Sequence, residues 1–137
     1  MELKPPLTAA NAQAWYEFVY APWVKAQSLC DFEVSEGVVA ARLPQAAEMQ
    51  FSSGAICGQA MMSAIDTVAS MAASTGDRLT KGTVYQHTHF VRPAKGDDLR
   101  VEAKVMRFGK ASALIDARVT FVGSGELVAQ AMLEFAF

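Results

Sequence analysis

The chain of 137 residues and 14.7 kDa is the size of one domain, long enough to bury a core without disulfides or structural metal. Hydrophobic residues at 52% against 19% charged exclude a disordered or low-complexity protein, and so thinly charged a surface points to burial against another subunit. Net charge is −2, yet residues 78–118 hold nine of the twelve basic side chains and only four acids. That asymmetry fits either a surface facing an anionic ligand such as phosphate or strands that alternate basic residues on a wet face. Cys30 and Cys57 are too few for a disulfide framework. The opening Met-Glu-Leu-Lys-Pro-Pro lacks the basic and apolar regions of a signal peptide, so a cytoplasmic location is expected.

In chain order, Thr8 is placed to cap a first helix whose apolar face is Trp15, Phe18, Val19 and Trp23. Pro22 breaks it, leaving a short turn near Val24–Gln27 and an N-terminal helical segment over residues 1–28. Strands are expected over Leu29–Val34 and Val38–Leu43, joined by Ser35-Glu36-Gly37, with a loop over residues 44–57. Gly58–Ser74 reads as a helix that is apolar or small nearly all round, hence buried in a core. Serines, glycines and Asp66 interrupt it, which argues against a membrane span. Beyond Asp77 the period falls to two, and strands over Lys81–Val91 and three later segments, turning at Gly109 and Gly123-Ser124-Gly125, suggest an antiparallel meander. The whole is an α+β domain over residues 1–137, its antiparallel sheet wrapped around a central buried helix.

Two motifs sharpen this. Gly54-Ala55-Ile56-Cys57-Gly58-Gln59-Ala60-Met61-Met62-Ser63-Ala64-Ile65-Asp66 leads a loop into the helix, and Arg92-Pro93-Ala94-Lys95-Gly96-Asp97 ends a strand. With the element order, they resemble the hotdog fold and its PaaI-like acyl-CoA thioesterase family over roughly residues 35–137. The first is similar to that family's His-Gly-Gly element with an acid nine positions after the histidine; this chain has Cys57-Gly58-Gln59 there. The resemblance implies thioester hydrolysis in a homodimer or homotetramer whose site is shared between subunits, with no cofactor.

Asp66 is the one charge between Glu48 and Asp77. A carboxylate in an apolar helix must be partnered, protonated or open to a ligand. It is either a satisfied structural group or, as the resemblance implies, a general base or nucleophile toward a thioester. Gly58, at the helix start, offers backbone N–H groups that can polarise a carbonyl; the alternative is a glycine needed only for the turn. The two are eight residues apart, a rise of roughly 12 Å, so one chain does not bring them together. Gln50 and Ser70 are candidate assistants, and Ser53, Cys57 and Gln59 candidate substrate contacts, each also readable as an ordinary polar or buried side chain. Arg92, Lys95, Arg107 and Lys110, at strand ends and turns, suit the phosphates of coenzyme A.

His87 and His89 share a strand face but lack the further ligands of a metal site, so no metal is assigned. The pI near 5.6 and the lack of an aromatic-basic motif count against nucleic acid. Rival readings are a non-catalytic acyl or acyl-CoA binding module and a hotdog dehydratase or isomerase.

Overall fold

The computed structural model describes residues 3–137, and Met1 and Glu2, where the expected N-terminal segment begins, lie outside the described residues. Two short helices, α1 (Ala12–Val19) and α2 (Pro22–Lys25), precede β1 (Cys30–Ser35) and β2 (Val38–Leu43). A loop with one 3-10 turn (Ala47–Met49) leads into α3 (Gly58–Ala73), followed by β3 (Gly82–Phe90), β4 (Leu99–Phe108), β5 (Ser112–Phe121) and β6 (Leu127–Ala136).

The N-terminal reading needs two corrections. Asn11, not Thr8, stands at the N-cap of α1, and the Thr8 N–H donates to Asn11 Oδ1 at 2.7 Å. The buried face is Ala12, Trp15 and Tyr16, whereas Phe18 and Trp23 are 51% and 62% exposed. The cause is that Pro22 starts a new helix and turns the chain, so no single stripe runs through both segments. Tyr16 is held inside because its hydroxyl donates to the Val24 carbonyl at 2.8 Å.

All strand pairs are antiparallel, in the order β1-β2-β4-β5-β6-β3. The expected meander therefore holds for β4-β5-β6 only. β3 lies at the far edge against β6, with His87 opposite Met132 and Thr88 opposite Ala131. Composition explains this: β4 buries Leu99, Val101 and Ala103 and suits a central place, whereas β3 is exposed along nearly all its length and suits an edge. The turn between β1 and β2 needs Gly37, whose φ of 76° other residues rarely adopt and whose N–H donates to Thr75 Oγ1 at 2.7 Å.

The sheet wraps α3. Ala64, Ile65, Val68, Ala69 and Met71 of the helix are fully buried among Val39, Leu43, Val101, Ile115, Leu133 and Phe135. Small alanines let strands approach the helix axis closely, which is what an alanine-rich but well-packed helix provides. Burial is nevertheless not complete around the helix. Gln59 and Met62 are exposed, and Asp66 and Ser70 half-buried, along one stripe at helical spacing. Within one chain, α3 therefore has an open side, flanked by β3.

Candidate active site

The open side of α3 carries a cavity at each end. At the N-terminal end, Cys57 stands at the cap in extended conformation and no side chain caps the helix. The first backbone N–H groups of a helix have no partner within it and carry the positive end of its dipole. Gly58 lets the Phe90 ring pack directly against this end of the helix, since a Cβ there would come within 3.2 Å of the ring. Phe51, Ser53, Gly58, Gln59, Met62 and Arg92 line a cavity of about 850 Å³ in this region, mostly apolar with Arg92 as its charged member.

The loop presenting Gly58 is fixed by the second motif. The Ile56 N–H donates to the Ala94 carbonyl at 3.1 Å, and Gln45 Nε2 donates to the Ala94 and Asp97 carbonyls at 3.0 and 2.8 Å. Asp98 accepts from the Gln45 N–H at 2.9 Å and pairs with Arg42 at 2.6 Å; these contacts hold its carboxyl below the usual range. Gln50 belongs to this brace, its amide donating to Gln45 Oε1 at 2.7 Å.

At the other end, two turns along, Asp66 accepts a hydrogen bond from the Thr83 hydroxyl of β3 at 2.5 Å. Burial pushes its carboxyl above the usual carboxylate value, and the Thr83 hydrogen bond opposes that shift in part. Ser70, one turn further, does not bond Asp66. Its hydroxyl donates to the Thr67 carbonyl at 2.8 Å and makes a short hydrogen bond with the Tyr20 hydroxyl. Trp15, Val19, Tyr20, Asp66, Thr83 and Phe135 are among the residues lining a cavity of about 310 Å³ here.

The structure thus separates the sequence candidates into groups. Gly58, Ser53, Gln59 and Arg92 line one cavity, with Cys57 at the helix cap behind it and Lys95 beside the loop at Gly54. Asp66 and Ser70 line the second. Arg107 and Lys110 lie elsewhere, in a small hollow at the β4–β5 hairpin, and neither is in an ion pair among the described residues. Arg92 is paired with Glu126 at 3.0 Å. His87 and His89 do face one way, with Nε2 atoms 2.7 Å apart, but no cluster of three metal-binding side chains exists among the described residues. Sequence reasoning missed Thr83 and Tyr20. Each meets α3 through a contact between elements distant in sequence, and no local pattern marks such a contact.

A central helix gripped by a six-stranded antiparallel sheet, with a carboxylate and a helix N-terminus on its open side, defines a hotdog protein. The sequence profile of the thioesterase superfamily matches residues 54–127, and the chain belongs to that family. Among solved structures, it is similar to zebra fish thioesterase superfamily member 2, with a TM-score of 0.87 and 20% identity over 96% of this chain and 99% of that one. Escherichia coli PaaI, from the phenylacetic acid degradation operon, gives 0.80 and 25% over 93% and 90%. The conserved protein PA5202 of Pseudomonas aeruginosa gives 0.77 and 27% over 88% and 96%. A search of curated proteins gives no match. No helix among the described residues is long and apolar enough to cross a membrane.

Proposed function

We propose that the protein hydrolyses an acyl-CoA-type thioester to free acid and thiol at a site shared by two copies of the chain. The observation that carries this reading is Asp66, the one carboxylate of an apolar helix, raised in pKa by burial and facing a cavity. Such a group can take a proton from an attacking water or attack the carbonyl carbon itself. The developing oxyanion needs N–H donors, and the Gly58 end of α3 supplies them. Eight residues of helix, roughly 12 Å, part the two ends, so the Gly58 amide that serves Asp66 comes from a second copy.

β3 favours such pairing. It is an edge strand exposing Val84, Tyr85 and Phe90, a surface that proteins normally cover or blunt. A homodimer formed along this side, alone or doubled into a tetramer, would close both cavities of each chain against those of its partner. Gln50 braces the Gly58 loop and Ser70 anchors Tyr20, so both support the site through other residues. Arg92, which lines the Gly58 cavity and is paired with Glu126, and Lys95, beside Gly54, are the candidate partners for the phosphates of coenzyme A; Arg107 and Lys110, at the β4–β5 hairpin, would reach them only from another copy of the chain.

The test is thiol release from a panel of acyl-CoA thioesters. Release that depends on Asp66 supports hydrolysis. Tight binding without release indicates an acyl-CoA binding module, the reading that Cys57 in place of a histidine favours. A change in the acyl chain with no free thiol indicates a dehydratase or isomerase.

A further inference from the structure

The outer face of β3 carries a pair of side chains that the thioester reading does not use. Successive residues of a strand point to opposite faces, and Gln86 marks the inner one, since its amide donates to the Met62 carbonyl of α3 at 3.4 Å. Tyr85, His87 and His89 therefore lie on the far side of the sheet from α3. Both histidines are exposed. Opposite Tyr85, His87 and His89 stand Glu134, Met132 and Gln130 of β6, with Asp116 and Arg118 of β5 beyond them.

The i, i+2 spacing establishes only a shared face; the separation carries more. The two Nε2 atoms are 2.7 Å apart and the ring centroids 4.7 Å apart, so nitrogen meets nitrogen rather than face meeting face. Two lone pairs cannot share that contact, so one ring holds a proton between them. Once that proton passes through water to Nδ1 of the same ring, both lone pairs face one gap. A metal ion bound there, at the usual metal–imidazole distance of about 2.0–2.1 Å, sets the separation of its donors by its geometry. Donors at a right angle, as in square-planar or tetragonal coordination, stand about 2.8–3.0 Å apart, and tetrahedral donors about 3.3–3.4 Å. The observed 2.7 Å fits the first and falls short of the second.

We propose that His87 and His89 form a two-imidazole chelate for a divalent cation of square-planar or tetragonal habit, copper(II) first and nickel(II) second, with water completing the coordination. Imidazole suits these ions, and copper(II) heads the affinity order of the first-row divalent metals. Glu134 and Asp116 add negative charge on the same face, and Arg118, the cation among them, is drawn to Asp116 at 3.5 Å. The chelate uses neither Asp66 nor Gly58, so it does not rest on the thioester reading.

Titration of the purified protein with Cu2+, Ni2+ and Zn2+ in a buffer that binds no metal tests the chelate. Cu2+ should bind at one ion per chain and give the electron paramagnetic resonance spectrum of a tetragonal ion split by two imidazole nitrogens. His87→Gln and His89→Gln should each lower Cu2+ and Ni2+ affinity about tenfold or more, because either leaves a single imidazole and the gain from joining two donors is lost. Both side chains are exposed, so the variants should fold, which circular dichroism checks. Affinity unchanged in both variants places the ion elsewhere, on Cys30, Cys57 or a carboxylate, and overturns the proposal. A spectrum with one nitrogen overturns it too, as does Zn2+ bound more tightly than Ni2+, which would contradict the right-angled geometry.

Discussion

Asp66→Asn separates a catalytic carboxylate from a structural one, because the two roles move different quantities. The substitution keeps the volume of the side chain, and the Thr83 hydroxyl can donate to the amide oxygen as it does to the carboxylate at 2.5 Å. What disappears is the charge and the ability to accept a proton. Burial raises the Asp66 pKa, so between the unfolded and folded pKa values the folded state binds more protons than the unfolded one. By linkage, the contribution of Asp66 to stability then falls as pH rises through that window and is unfavourable at neutral pH. Asparagine should therefore leave the melting temperature unchanged or raise it at pH 7, while thiol release drops by about 10²–10⁴-fold, the usual size of a general-base effect. Both quantities are measured on one preparation, by thermal unfolding monitored by circular dichroism and by a free-thiol assay. A variant that melts earlier yet turns over at the wild-type rate per folded molecule refutes the reasoning.

Other expectations follow from the same geometry. Thr83→Val removes the hydrogen bond that favours the carboxylate, so the Asp66 pKa, raised by burial, should rise further and carry the acid limb of the pH–rate profile up with it. Gly58→Ala places a methyl group 3.2 Å from the Phe90 ring, so the ring must shift at the proposed carbonyl-binding end of α3, and should cut kcat/KM about tenfold or more. Asp98→Ala removes acceptors for Gln45 and Arg42 and should cost about 1 kcal/mol, discounted for exposure. Because the Asp98 pKa is depressed in the folded state, the stability it adds is present above the unfolded pKa and lost as pH falls through the folded one, so the Asp98→Ala penalty in urea titrations should shrink in acid. Sedimentation at micromolar concentration should give at least twice 14.7 kDa; a clean monomer contradicts the shared site.

Much of this arrangement could be read from residue patterns, and the failures have physical reasons. The period-two runs of β4, β5 and β6 and the alanine-rich α3 were legible because each buries a continuous face. The solitary charge of Asp66 was legible because any carboxylate among alanines and methionines needs an explanation. The place of β3 was not, since pairing with β6 rather than β4 depends on which neighbour needs covering, a property of the whole sheet. The exposed Phe18 and Trp23 misled because hydrophobic spacing cannot tell a core-facing residue from one left open, and Pro22 changed the direction of the chain between them. Thr83 and Tyr20 escaped notice because a hydroxyl gains its role from the residue it meets across the fold.

The central claim is that Asp66 of one chain works with the Gly58 amide of another, and complementation tests it most directly. Asp66→Asn and a Gly58 variant with a bulky side chain, Gly58→Leu, are each inactive by this account. Co-expressed with different tags, they form mixed dimers in which one of the two sites has both an intact Asp66 and an intact Gly58. Equal random assortment should then restore about a quarter of wild-type turnover, and purified mixed dimers about half, as a two-fold shared site requires. If the mixed dimers form and remain inactive, the two residues do not meet across an interface, and the mechanism is wrong.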